Sequence, residues 1–297
     1  MPNYTVIDAP SNLGLRPTGV EMLPIALKSA GLLTKLSAIY AGRVAPLPYH
    51  VERDPLTQMR NADGIRLYAQ HLADVVGPLV QAGQFPIVLG GDCSILLGAM
   101  LALQRIGRYG LFFLDGHADF YQPEAESHGE VASMDLALVS GRGPDVLTNI
   151  EGFRPFVRDE DIVAFAFRDA SQAAYEGSQD IRATTIHTYD LDQARTPDVV
   201  TVATQALKHL LRTELSGFWI HLDADVLHDQ IMPAVDYRIA DGLQFDELSA
   251  VLGLLLGTGR AVGMTITIFN PMLDADGTLA QRFVDSIVMG LQAGAIG

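Results

Sequence analysis

Runs of apolar, β-branched residues recur along this chain with helical patterns between them, and that alternation limits the fold more than any other feature. Thr5–Ala9, Phe85–Leu89, Gly110–Asp115, Ile162–Phe167, Ala183–Tyr189, Gly217–Asp225 and Ala261–Phe269 read as strands, with a weaker one at Ile39–Leu47. Several are apolar almost without a break, as strands covered on both faces are. Pro24–Leu33, Gly64–Gln81, Ser94–Leu103, Ser133–Val139, Pro197–Leu211, Phe245–Leu256 and Thr278–Leu291 read as helices. Strand and helix in alternation predict an α/β fold, one parallel sheet with helices on both faces. No Ser/Gly linker, low-complexity tract or repeat divides the 297 residues, so a single domain over 1–297 is expected.

Composition removes whole classes of function. With 48% hydrophobic and 19% charged residues, global disorder is excluded. No apolar run reaches the ~18 to 20 residues that span a bilayer. Met1-Pro2-Asn3-Tyr4-Thr5 lacks the basic and apolar regions of a signal peptide, so a cytoplasmic protein is expected. Twenty basic residues against 35 acidic ones leave a net charge of −15. That field disfavours nucleic acid and anionic membrane and favours metal ions or a basic substrate, although acidity also serves solubility alone. Cys93 is the only cysteine, so there is no internal disulfide, and any role it has is that of a thiol or thiolate.

Ligands of open parallel sheets bind beyond the carboxyl ends of the strands. Three such loops carry chemistry here. The strand Gly110–Asp115 runs into Asp115-Gly116-His117-Ala118-Asp119, and in extended chain Asp115, His117 and Asp119 project to one side. Carboxylates and an imidazole converging this way are costly unless a cation neutralises them. A second strand runs into Asp223-Ala224-Asp225. Together the two clusters supply enough carboxylates for two divalent ions that share ligands and activate a water. His221, one step deeper than Asp223, reads as a core residue or a support for a ligand rather than a ligand. The third loop, Gly90-Gly91-Asp92-Cys93-Ser94, joins a tight glycine turn to a helix start that Asp92 or Ser94 can cap.

These three segments resemble those of the arginase/agmatinase/formiminoglutamase family, the ureohydrolases, which carry Gly-Gly-Asp-His-Ser, Asp-x-His-x-Asp and Asp-x-Asp in this order. The stretch from Gly14 to Leu32 and the late Asn270-Pro271 extend the likeness over nearly the whole chain. The resemblance implies a three-layer α/β/α sandwich with a mainly parallel sheet of about eight strands. It also implies a homo-oligomer, trimeric or hexameric, acting on a small-molecule substrate. Two divalent metal ions are implied, manganese by family, with a metal-bridging hydroxide attacking a guanidine or amidine carbon. By the same resemblance Cys93, Asp115, Asp119 and Asp223 hold one ion, and His117, Asp115, Asp223 and Asp225 hold the other. Asp115 and Asp223 bridge. His128, in His128-Gly129, matches a loop histidine that shuttles a proton toward the leaving amine. Asp169, after Arg168, is similar to a carboxylate that recognises the substrate's α-amino group in arginases.

Three departures stand out. Cys93 replaces the family's first histidine ligand, and a thiolate suits Zn, Fe or Co better than Mn. Arginases and agmatinases place a glutamate shortly before the late Asn-Pro to pair with the guanidinium, but Gly263–Asn270 contains no acid. Glu124, Glu126 or Glu130 around His128 are the available substitutes. His228-Asp229 replaces the usual Asp-Pro, and the arginase Ser-x-Asn clamp is not recognisable between Asp119 and His128. The expected function is a binuclear metal hydrolase of C–N bonds in a guanidine, hydroxyguanidine or amidine-type small molecule. A family member that lost catalysis and serves as a binding protein is one competing reading. A mononuclear, deacetylase-like amidohydrolase is the other.

Overall fold

Eight parallel strands pair into one sheet in the computed structural model of the chain, which describes residues 2–295. They are β1 (Tyr4–Ala9), β2 (Ile39–Arg43), β3 (Phe85–Gly90), β4 (Gly110–Leu114), β5 (Ile162–Phe165), β6 (His187–Tyr189), β7 (Phe218–Asp223) and β8 (Ala261–Thr267). Their order across the sheet is β2-β1-β3-β8-β7-β4-β5-β6. Every residue of β3, β4 and β7 is buried, whereas β2 at the edge is mostly exposed. Alternation along β4 sends Leu111 and Phe113 into one core and Phe112 and Leu114 into the other. The helices Ala62–Gln81 and Leu96–Ile106 close the first core. Val199–Leu207, Phe245–Gly257 and Thr278–Gly294 close the second. The result is the three-layer α/β/α sandwich that the sequence predicts, with every strand pair parallel. Among the described residues no helix is long and apolar enough to cross a membrane.

Local chemistry moves several boundaries. The stretch expected to form one helix over Pro24–Leu33 splits into Leu23–Ser29 and Leu32–Leu36, because Gly31 between them takes a left-handed φ of 92°. Only His187–Tyr189 of the expected strand Ala183–Tyr189 pairs with the sheet. Residues Ile181–Ala183 close a 3-10 turn instead, with the Asp180 carboxylate accepting the Arg182 N–H. The helix expected from Pro197 starts at Val199, since Asp198 caps it by accepting the Thr201 N–H.

The strand order decides where chemistry can occur. Because β8 lies between β3 and β7, and β4 follows β7, four carboxyl ends sit side by side. The registers Leu89↔Ile266, Asp223↔Thr267 and Leu114↔Leu222 bring the loops after β3, β4, β7 and β8 to one place.

Candidate metal centre

Beyond Leu114 the chain leaves the extended conformation, and Asp119 has a left-handed φ of 43°. Convergence of Asp115, His117 and Asp119 therefore comes from a folded loop and not from strand alternation, which corrects the expectation. Asp115 Oδ1 accepts the His117 N–H at 2.7 Å, and Asp225 Oδ1 accepts the Gly116 N–H at 3.0 Å. Gly116 is needed there, because a Cβ would overlap the Arg168 guanidinium and the Asp225 carbonyl. Asp223 opens the 3-10 turn Ala224–Val226, with Oδ1 accepting the Asp225 N–H at 2.8 Å. Cys93 opens another, Cys93–Ile95, capped by Asp92, which accepts the Ser94 N–H at 2.9 Å. The second oxygen of Asp92 accepts the Gly14 N–H at 3.2 Å and ties in the N-terminal loop.

On one flank of the centre His117 Nδ1 lies 2.9 Å from Asp225 Oδ2. Burial pulls the imidazole down, but the Asp225 charge more than reverses this and lifts it to about 9. Burial likewise pushes Asp225 up, and the opposing charges of His117 and Arg168 bring it down to about 2. The other flank has no such partner. Cys93 Sγ donates to Asp223 Oδ2 at 2.8 Å and lies 3.3 Å from Thr267 Oγ1. Burial first, then mutual repulsion, pushes the carboxyls of Asp115, Asp119 and Asp223 well above the usual range. Burial and the neighbouring acids raise the Cys93 thiol as well.

Ligand atoms of Cys93, Asp115, His221 and Asp223 all lie within 4.8 Å of one another. So do those of Cys93, Asp119 and Asp135, and those of Asp115, His117 and Asp119. Asp115 Oδ2, both carboxylate oxygens of Asp135 and His221 Nε2 are buried without a hydrogen-bond partner. Each unpaired buried group costs about 1–3 kcal/mol, which a cation would offset. Carboxylate oxygen, imidazole nitrogen and one sulfur form a donor set that fits divalent ions.

Asp135 escaped the sequence reading. Its one signal was an acid opening the run Leu136-Ala137-Leu138-Val139, all of it buried. Burial pushes its carboxyl well above the usual range, and the Asp223 and Asp92 charges add to the rise.

A cleft reaches the centre, with Cys93, His117, Asp119, Asp223 and Asp225 lining its floor and Leu15, Tyr121, Tyr237 and Ile268 its walls. His128 stands at the rim, its side chain 54% exposed and its Nδ1 3.3 Å from Glu126 Oε1. Arg53 holds this loop by donating to the carbonyls of Pro123, Glu126 and Ser127 at 2.9 to 3.1 Å. Of the three substitute acids, Glu124 is exposed and away from the cleft. Glu126 lines it but accepts the N–H groups of His128 and Glu130 at 3.0 and 2.7 Å. Glu130 lines it too, and pairs with Arg16 and accepts the Tyr237 hydroxyl, both at 2.7 Å. Asp169 does not line this cleft. It lies buried against the His117 loop, where Oδ1 accepts the Ala118 N–H at 3.0 Å. Arg168 braces the far side by donating to the carbonyls of Asp225 and Ile239 at 2.8 and 3.2 Å.

A cluster of carboxylates, imidazoles and a thiol at the carboxyl edge of an all-parallel sandwich defines a metal-binding α/β class. Within that class the match is specific: the Arginase family model covers residues 3–290, and the chain belongs to the arginase family. It is similar to arginases of Brevibacillus brevis, at 29% identity over 94% of each chain, and of Staphylococcus aureus, at 27% over 95% of this chain and 94% of the relative. Among solved structures, an arginase from Bacillus caldovelox superposes with a TM-score of 0.88 at 26% identity and 98% coverage of both chains. Proclavaminate amidino hydrolase from Streptomyces clavuligerus shares the fold, with a TM-score of 0.71 at 17% identity over 99% and 93% of the chains.

Proposed function

We propose that this arginase-family hydrolase cleaves a C–N bond of a hydroxyguanidine, or of another guanidine or amidine made weakly basic by its substituents, at a two-ion centre. One observation carries the reading. Asp115 and Asp223 lie buried between a Cys93 flank and a His117 flank, at the foot of one cleft. Divalent ions bound there supply Lewis acidity and an ionised water as nucleophile. Asp115 and Asp223 would bridge them, with Cys93 on one side and His117 and Asp225 on the other. The sulfur of Cys93 favours Zn, Fe or Co over Mn in the first position.

His128 is placed at the rim to move a proton toward the leaving amine, and Glu126 behind Nδ1 orients the ring. Asp169 and Arg168 keep the Ala118 and Asp225 backbones in place. The cleft wall supports the substrate class. Ile268, in the stretch before Asn270, is apolar and lines the cleft, while Glu126 and Glu130 are already engaged. Glu176, the remaining lining acid outside the metal centre, is exposed, so a full guanidinium desolvated deeper in the cleft would lack a buried anionic partner, at a cost of about 2–4 kcal/mol. A substrate that enters neutral avoids that cost.

Urea or ammonia release from arginine, agmatine and an N-hydroxyguanidine tests this directly. The hydroxyguanidine is expected to be turned over fastest. Arginine hydrolysed best would overturn the substrate assignment, and Glu126→Gln or Glu130→Gln should then abolish activity. His128→Asn is expected to keep the metal content and lower kcat about 10²-fold. An unchanged rate and pH profile would remove His128 from the reaction.

A further inference from the structure

We infer that the ion beside Cys93 is held by His221, reaching up from β7, so that Cys93, Asp115, His221 and Asp223 form its ligand set and Asp119 does not. This rests on the metal-binding reading above and names a ligand beyond it. His221 is wholly buried and oriented from two sides. Its ring stacks on Phe113 at 4.7 Å with an interplanar angle of 12°, and its Nδ1 lies 2.8 Å from Thr265 Oγ1. In the tautomer whose Nδ1–H donates to Thr265, the lone pair of Nε2 is free, as in a histidine set up to bind metal.

Nε2 has no partner, and neither does Asp115 Oδ2, 3.9 Å away. That gap is too long for a hydrogen bond. Metal–ligand bonds of about 2 Å place two donors on one ion roughly 3.3 to 4.2 Å apart. A histidine that merely packed would have found a partner for its second nitrogen. The four donors are mutually close and all buried, whereas Asp119 groups with Asp115 and His117 or with Cys93 and Asp135. Cysteine is also shorter than the histidine it replaces, so an ion bound to its sulfur sits nearer the sheet. His221 occupies that deeper layer, level with Phe113 and Thr265 and one step below Asp223. One sulfur, one nitrogen and two carboxylate oxygens make a donor set suited to Zn or Co.

Cobalt reports the answer without substrate. Titrated with Co²⁺, the whole protein should show a thiolate-to-cobalt charge-transfer band and the intense visible bands of a low-coordinate site. His221→Gln and His221→Asn should weaken the thiolate-bound ion by more than the ~100-fold that loss of an outer partner produces. Asp119→Asn should leave that ion's band and affinity within a few-fold. The assignment is overturned if the His221 variants keep the band while Asp119→Asn loses it, or if the wild type shows no thiolate band. If circular dichroism shows both His221 variants unfolded, His117→Asn protein with ¹⁵N-labelled histidine and one Co²⁺, its thiolate band present, decides by pulsed EPR. Directly bound nitrogen supports the assignment, and its absence overturns it. A wild type with a His221-dependent band but no amidine hydrolysis sinks the hydrolase reading alone. An active hydrolase whose band survives His221→Gln sinks only this one.

Discussion

His117 and Asp225 neutralise each other at 2.9 Å on the cleft side of the centre, while Cys93, deeper in, meets the carboxyls of Asp223, Asp119, Asp135 and Asp115. The His117 flank carries its own positive charge, so an entering ion must displace the proton that this imidazole holds up to about 9. The Cys93 flank has donors and no counter-charge, so an ion there would offset the cost of its buried, unpaired groups. Metal should accordingly contribute more to stability through the Cys93 flank, and exchange more readily at the His117 flank.

Asp223→Asn has the largest expected effect, because that carboxylate serves both flanks. Metal content should fall from two ions to fewer than one, with activity lost. Two tightly held ions in the variant would show that the flanks share no ligand.

A pair of substitutions in metal-free protein separates the flanks by sign. Asp225→Asn should destabilise by about 3 kcal/mol, as breaking a buried ion pair does. Asp135→Asn should stabilise by about 1–2 kcal/mol, because the amide removes a buried carboxyl that holds in the folded state a proton the unfolded chain has released. Urea unfolding at pH 8 with EDTA reads both, and shifts of the same sign would erase the distinction drawn here.

The pH dependence is smaller, and above about pH 6.5, where the lowered His221 no longer adds stability with rising pH, it runs one way. Carboxyls raised in the folded state keep protons that the unfolded chain has released, so their contribution is lost as pH rises through the folded values. His117, raised to about 9 from 6.5, contributes fully below 6.5 and loses that contribution toward 9. Metal-free protein should therefore melt lower at pH 9 than at pH 6. Added Zn²⁺ or Mn²⁺ should raise the melting temperature more at pH 9, at roughly 2 °C per kcal/mol for a chain of this length. A metal-induced rise larger at pH 6 would contradict the protonation of the centre described above.

The local part of this protein could be read along the chain. Apolar runs marked β3, β4 and β7 because strands buried on both faces leave no polar alternation to obscure them. Asp115, His117, Asp119, Asp223 and Asp225 were legible because each loop carries its donors within a few residues of a strand end. Short-range turn chemistry already blurred the ends of elements, as at Gly31 and Asp198.

Contacts between distant residues were not legible. The amino-acid order by itself determined which side chains stand at the end of each strand, since hydrophobic period and strand-end acids are local patterns. Only the tertiary structure decided which ends are neighbours. By inserting β8 between β3 and β7, it brought Cys93 against Asp223, 130 positions away. The same packing turned Asp135 toward Asp119, faced His221 with Asp115, lined the cleft with Ile268 and drew Asp169 beneath the His117 loop. Such pairings depend on strand order and on the burial shared by all the layers, and no window of sequence contains them.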